Sequence, residues 1–292
     1  MAELRLRANA KINLFLEVLD KRPDGYHNIE TVFQSIDLHD VIILRGNSPG
    51  TIEVECDNPE VPLDSSNLAY RAAELLSRES GKSYGAQIHI IKRIPVGAGL
   101  AGGSTDAAAT LVGLNELWGL DYSTEELMRL GSELGADVPF CILGGTALGK
   151  GRGDELTQLA SFSDVPVVLV KPGFQVSTSW AYTALGNLDL TRARKSANIL
   201  TTKMRRRDVS SIGGELFNIF ESVVMGEYPL VGRIKEELIR AGALGALMTG
   251  SGPTVFALAR DTSSARYICQ QVSCLVDFCI VAKTSNVSIA RM

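Results

Sequence analysis

Apolar positions near the start of the chain recur on a period of two: Leu4, Leu6, Ala8, then Ile12, Leu14, Leu16 and Val18, with polar residues between for most of the length. The pattern predicts a long strand, or two strands joined by a bend near Asn9. Residues 51–56 (TIEVEC) alternate more strictly, and residues 86–94 (AQIHIIKRI) form a third β-rich run. Between these two, Leu68, Ala72, Leu75 and Leu76 follow the turn-rich DSSN at helical spacing, predicting a helix from about Asn67 to Gly81. A second helix is predicted from about Ser104 to Trp118 on the stripe Ala107, Leu111, Leu114 and Trp118. A third opens on a capping box, Ser123 to Glu126, and carries Leu127, Leu130 and Leu134.

The composition shifts around residues 145–165, where GGTALGKGRGDE is glycine-rich and SFSD follows, and a domain boundary is placed there, after residue 160. The second half opens on an apolar strand, residues 165–170, stopped by Pro172 and Gly173. Helical patterns near 178–185, 208–224 and 230–241, a strand at 254–259, a helix near 262–274 and a strand at 278–283 complete it. Helices and strands mix in both halves, so the expected class is α+β in packed layers.

Composition narrows the partners. With 292 residues, 45% hydrophobic and 21% charged, the chain is an ordinary folded protein. Its net charge of −4 lacks the basic footprint of a nucleic-acid binder. The run 192–207 does hold seven basic residues and no acid, which suits a nucleotide diphosphate or RNA, but such a run is more often a solvated helix or loop. Five cysteines without a C-x-x-C pair, and three histidines, offer no recognised zinc spacing, and they read as reduced thiols. There is no apolar leader and no apolar run of membrane-spanning length, so no membrane is expected and the cytoplasm is the expected compartment. Monomer and homodimer both stay open.

The most informative stretch is PVGAGLAGGSTDAAA, residues 95–109, between a strand and a helix. Four glycines in seven residues let backbone N–H groups approach a ligand, and the helix that follows turns its unpaired first-turn N–H groups to the same space. Phosphate suits that combination. Gly97-x-Gly99-x-x-Gly102 matches a dinucleotide fingerprint, but the acid about twenty residues on, Asp121, follows a helix where the fingerprint wants the end of a strand. Gly97-x4-Gly102 also starts like a P-loop, but Gly103-Ser104 stands in place of the required lysine and hydroxyl residue. A tight turn without a ligand accounts for one or two glycines, not four.

PxxxGLAGGSTDAA resembles the second motif of the GHMP kinases, small-molecule kinases whose glycine loop wraps ATP phosphates. AKINLFLEV (10–18) resembles the first motif and TGSGPTVFAL (249–258) the third, in the right order and nearly spanning the chain. The family usually has Pro where Asn9 stands and often Gly where Ala101 stands. Within the family, AKINLFL, RPDGYHNIETVFQ (22–34), GADVPF (135–140) and GSGPT together are similar to the branch that acts on a cytidine-diphosphate-linked methylerythritol. The resemblance implies a two-domain GHMP kinase fold: an ATP-binding N-terminal domain of the ribosomal S5 domain 2-like type over residues 1–160, and a substrate-binding ferredoxin-like domain over 161–292.

It also implies roles. Asp137 resembles the catalytic base and Lys11 the lysine that holds it ionised or stabilises phosphoryl charge. On spacing alone, Asp137 would be a turn or cap residue and Lys11 a strand lysine snorkelling to water. Asn13, two residues along the strand from Lys11, shares its face and is expected at the substrate. Tyr26 and His27, with Tyr182 and more weakly Trp180, are expected at the cytosine, a flat ring with a polar edge. Pro95, Val96, Gly97, Ala98, Gly99, Leu100, Ala101, Gly102, Gly103, Ser104 and Thr105 are expected to bind ATP. Ser104 and Thr105 offer hydroxyls to phosphate or Mg²⁺, and Asn67 and Leu68 could line the adenine pocket. Gly250, Ser251 and Gly252 form the third-motif loop. No Asp-x-Asp pair announces a metal site, so Mg²⁺ is expected to arrive on ATP. The rivals are another GHMP kinase acting on homoserine or mevalonate, a nicotinamide oxidoreductase, and a nucleotide-binding module without turnover.

Overall fold

The fold comes from a computed structural model, and the structure describes residues 3–186, 195–206 and 208–292. The elements in chain order are β1 (Glu3–Lys21), β2 (His27–Asn47), β3 (Ile52–Cys56), α1 (Leu68–Glu79), β4 (Gly85–Ile91), α2 (Gly102–Trp118), α3 (Thr124–Leu134), α4 (Val138–Leu143), β5 (Thr146–Lys150) and β6 (Glu155–Gln158). The second half continues with β7 (Pro166–Lys171), α5 (Thr178–Gly186), α6 (Asn198–Met204), α7 (Val209–Gly213), β8 (Phe217–Asn218), α8 (Glu221–Glu227), α9 (Pro229–Arg240), β9 (Gly245–Met248), β10 (Val255–Leu258), α10 (Thr262–Val272), β11 (Phe278–Ser285) and β12 (Ile289–Arg291).

The alternating start is one strand, not two. β1 pairs antiparallel with β2 along nearly its whole length, and register shifts at Asn9/Lys11, Asn13/Phe15 and Val18/Asp20 absorb the expected bend. The long β2 escapes a periodicity reading because both of its faces are covered in the middle, so buried Thr31, Gln34, Ser35 and Asp40 interrupt any alternation. The expected 208–224 helix is divided by β8, which pairs parallel with β1 through Phe15 and Phe217.

A main path runs β12-β1-β2-β11-β7-β10-β9, joining both halves of the chain in one sheet system. Helices α1, α2 and α3 cover one end over Leu6, Leu44, Ile88, Leu76 and Leu111. Gly113 lets α2 lie close to the sheet, since a Cβ there would run into Leu44 and Leu6. The other end packs α5, α8, α9 and α10 over Val168, Val170, Ile234 and Ile268. Between them a third core joins Ile12 and Leu14 to Val167, Leu169 and Phe256.

The glycine-rich stretch placed at the domain boundary is the β5–β6 hairpin, and β5 pairs with β2. Late in the chain, β11 reaches β2 and β12 pairs with β1, so the chain's end returns to the first half. Within the basic run, residues 192–194 and 207 lie outside the described residues. Its middle is helix α6, whose Leu200 and Met204 are buried in the third core.

Candidate active site

A cavity of about 1220 Å³ opens where the two halves meet. One wall is the loop between β4 and α2. Ala101 caps α2 in the left-handed conformation and no side chain satisfies the first-turn N–H groups. Those donors and the positive end of a 17-residue helix are therefore available to an anion beside the loop. The loop is fastened to β1, because Lys11 N donates to Leu100 O at 3.1 Å. Gly99 has φ 75° and a Cβ there would overlap the Thr249 carbonyl, so only glycine lets the second and third motifs touch backbone to backbone.

Pro95, Val96, Gly97, Ala98, Gly99, Ala101, Gly102, Gly103 and Ser104 line the cavity, as do Gly250, Ser251 and Gly252. Leu100 and Thr105 face inward instead. Leu100 belongs to the third core, and the Thr105 hydroxyl donates to Asn9 O at 2.8 Å inside the protein, so it is not offered to phosphate or metal.

Lys11 Nζ stands 3.4 Å from Asp137 Oδ2 across the same cavity. Asp137 occupies the cap position of α4, yet its carboxylate makes no capping bond. A plain cap would spend that oxygen on the helix, and here it is left for the lysine and the cavity. Lys11 is buried and further held by Asn13 Oδ1 at 2.9 Å and Gly99 O at 3.3 Å, with its ammonium 5.5 Å over the Phe33 ring. It does not snorkel.

Asn13 borders the cavity, but its amide is spent within the protein. Oδ1 accepts from Lys11 Nζ, Thr249 Oγ1 and Gly250 N, while Nδ2 donates to Thr31 Oγ1. Asn13 Oδ1 therefore helps to hold the Lys11 ammonium in place. Thr249, which the sequence did not single out, closes the network by accepting from Asn13 N at 2.9 Å.

The opposite wall is aromatic. His27 and Tyr182 stack with centroids 4.8 Å apart at 20°, and Tyr182 meets Phe220 edge-on. Tyr26 is 55% exposed. Burial and nearby Lys21 pull the His27 pKa down, so a neutral imidazole, one donor and one acceptor, faces the cavity. Burial and the Asp137 charge push the Tyr182 phenol up to about 12. Trp180 turns away and packs edge-on against Tyr228 in the second core. A bond of 2.9 Å between Thr178 and Ser251 hydroxyls joins the helix of Tyr182 to the third-motif loop.

Asn67 and Leu68 also border the cavity, and the Asn67 side chain caps α1 through Ala69 N. Beside them Lys92 is buried between Asp40 at 2.7 Å and Asp106 at 2.5 Å. Burial, opposed by the Lys92 ammonium and reinforced by the neighbouring Asp40 carboxylate, holds the Asp106 pKa well above the usual range. Among the described residues no group of three or more His, Cys, Asp or Glu is placed to hold a metal ion.

Two family descriptions match the chain: the GHMP kinases N terminal domain over residues 67–145 and the GHMP kinases C terminal over residues 200–276. The chain belongs to the GHMP kinase family. It is 48% identical over 275 residues to 4-diphosphocytidyl-2-C-methyl-D-erythritol kinase of Gloeobacter violaceus, covering 92% of this chain and 90% of that one. A relative of the same name from Pelotomaculum thermopropionicum is 46% identical over 279 residues, covering 96% and 97%. A crystal structure of 4-(cytidine 5'-diphospho)-2C-methyl-D-erythritol kinase superposes with a TM-score of 0.78 at 32% identity, over 97% of this chain and 99% of that chain. L. major mevalonate kinase shares the fold, with a TM-score of 0.74 at 16% identity, over 98% and 96%.

Proposed function

We propose that this protein transfers the γ-phosphoryl group of ATP to the 2-hydroxyl of 4-diphosphocytidyl-2-C-methyl-D-erythritol, releasing ADP and the 2-phosphate, a step towards isoprenoid precursors. The observation that carries it is the Lys11–Asp137 pair, set in the cavity that the glycine loop and the aromatic wall share.

Phosphoryl transfer asks for positioning and charge neutralisation more than for covalent chemistry. The bare N–H groups of α2 and the loop backbone hold the ATP phosphates. Tyr26 and Tyr182 offer faces for the cytosine, and His27 reads its polar edge. Asp137 accepts the hydroxyl proton as the oxygen attacks phosphorus. Lys11 keeps Asp137 ionised and meets the charge growing on the transferring group. His27 lies on the Tyr182 face, so a cytosine that stacks on that same face displaces the imidazole.

The side chains suit a magnesium ion carried by ATP rather than one caged by protein, since among the described residues no group of three or more His, Cys, Asp or Glu is placed to hold it. Ser104, at the start of α2, is the hydroxyl that would reach such an ion, which when bound neutralises phosphate charge. A kinase that draws on ATP and a soluble cytidine nucleotide suits the cytoplasm.

The test is ADP release by the purified protein with Mg-ATP, with and without the cytidine substrate, and ³¹P NMR of the product. Substrate-dependent ADP with a new phosphomonoester supports the assignment. Well-folded protein that releases ADP only with homoserine or mevalonate sinks it.

A further inference from the structure

Arg152 lies in the turn between β5 and β6 and takes no part in the chemistry just described. Its guanidinium stands 5.2 Å from the centroid of the Tyr26 ring. The edge of the guanidinium is locked elsewhere: Nε and Nη2 both donate to Asp154 Oδ2, at 3.0 and 2.5 Å, and Nη2 also reaches Ser132 O at 3.3 Å. Asp154 is itself largely buried, with 17% of its side chain exposed, so the fork is anchored to the body of the domain rather than swinging in solvent. Ile29 N donates to Gly151 O at 2.8 Å, which ties this turn to the strand that follows Tyr26.

Tyr26 needs such a support. It stands in a turn closed by Gly25 N to Arg22 O and by Tyr26 N to Asp24 Oδ1, which fixes its backbone but not its ring. Among the described residues no aromatic ring packs on it, unlike Tyr182, which is wedged between His27 and Phe220. An exposed ring with free χ angles loses rotamer freedom when a nucleobase stacks on it, and that loss weakens binding. A planar cation resting on one face removes the freedom beforehand and leaves the other face open. Arg152 borders the substrate cavity beside Tyr26 and also a smaller recess that Tyr26 does not line.

We propose that Arg152, held by Asp154, is a positioning residue that presents the Tyr26 ring to the pyrimidine and so sets affinity for the cytidine end of the substrate. This rests on the assignment of Tyr26 as a nucleobase platform. Arg152 acts through Tyr26 and not on the phosphates.

The test uses steady-state kinetics of the full chain, with CDP as a competitive probe that lacks the polyol. Arg152→Gln is expected to raise KM for the cytidine substrate and the inhibition constant of CDP roughly two- to tenfold, the scale of one cation–π contact. Neither kcat nor KM for ATP is expected to move by more than about twofold. In a Tyr26→Leu background the same substitution is expected to change nothing further, which a merely structural role would not produce. Should Arg152→Gln fold poorly, Arg152→Lys keeps the cation without the fork and is expected to give an intermediate KM. The proposal is overturned if Tyr26→Leu raises KM while Arg152→Gln and Arg152→Lys do not. It is also overturned if Arg152→Gln weakens binding equally with and without Tyr26, since Arg152 would then touch the substrate itself. If Tyr26→Leu leaves both constants unchanged, the platform assignment fails first and takes the proposal with it.

Discussion

Lys11 Nζ and Asp137 Oδ2 lie 3.4 Å apart, with the lysine side chain 5% exposed and the aspartate 34%. The asymmetry divides the labour. The lysine is fixed within the protein by Asn13 and Gly99, while the carboxylate looks into the cavity with capacity to spare for a hydroxyl proton. Asp137→Asn removes the proposed base and keeps the shape, so kcat is expected to fall roughly 10²- to 10⁴-fold with little change in either KM. Lys11→Met is expected to fall on the same scale, because it strips the cation from both the base and the transferring group. A Lys11→Met enzyme with wild-type kcat would refute the pairing.

Asn13 tests whether an amide facing the substrate cavity binds substrate or aims a neighbour. Its Oδ1 is an acceptor for Lys11, Thr249 and Gly250 together. Asn13→Ala frees the ammonium and is expected to lower kcat roughly ten- to a hundredfold, the range for one hydrogen bond to a charged group, leaving KM for the cytidine substrate nearly unchanged. Thr249→Val keeps the volume but loses the hydroxyl, and a smaller loss in the same direction is expected. An Asn13→Ala enzyme altered in KM alone would return the amide to the substrate.

Gly99 and Gly226 make a matched pair. At Gly99 a methyl group meets the Thr249 carbonyl and the backbone sits at φ 75°. Gly99→Ala therefore combines left-handed strain of ~1–2 kcal/mol with a clash that pushes the second motif off the third. Activity is expected to drop more than stability, since the displaced element is the loop proposed to hold the phosphates. Gly226 lies in α8 with nothing within 4 Å of an added Cβ. Gly226→Ala is expected to raise stability by up to ~1 kcal/mol with unchanged turnover, measured by denaturant unfolding. Equal effects at the two sites would contradict the assigned contacts.

The glycine loop and the helix behind it were legible because their signal is local: glycine density, then a helical stripe, all between residues 95 and 118. Lys11, Asp137 and Tyr182 were visible only through motif resemblance, since spacing alone favoured bland roles for the first two. What decides those roles is contact at long range, which composition does not encode. Thr249 becomes part of the site because β9 ends beside β1, 236 residues away in sequence. Arg152 and the Lys92 cluster were missed for the same reason, as a turn arginine and a strand lysine look solvated until Tyr26, Asp40 and Asp106 are placed beside them. The strand β2 was hidden by its own burial, and the β5–β6 hairpin by glycines that read as a linker.

Tyr182 offers a test that separates ring from hydroxyl. Burial and the Asp137 charge raise its phenol from 10.0 to about 12. The folded chain therefore holds that proton more tightly than the unfolded chain. The stability tied to it is complete below about pH 10 and is lost as pH climbs towards 12. Tyr182→Phe removes the titration, so its stability relative to wild type is expected to rise across that window, by on the order of 2 kcal/mol at the top. Phenolate absorbance should show one late-titrating tyrosine fewer in the variant. The ring survives the substitution, so KM for the cytidine substrate should hold at neutral pH, whereas Tyr182→Leu, which loses the stacking face, should raise it roughly fivefold. A phenol at position 182 that ionises with the exposed tyrosines would mean that the His27–Tyr182 stack is open in solution, and Tyr182→Phe would then give no rise between pH 10 and 12.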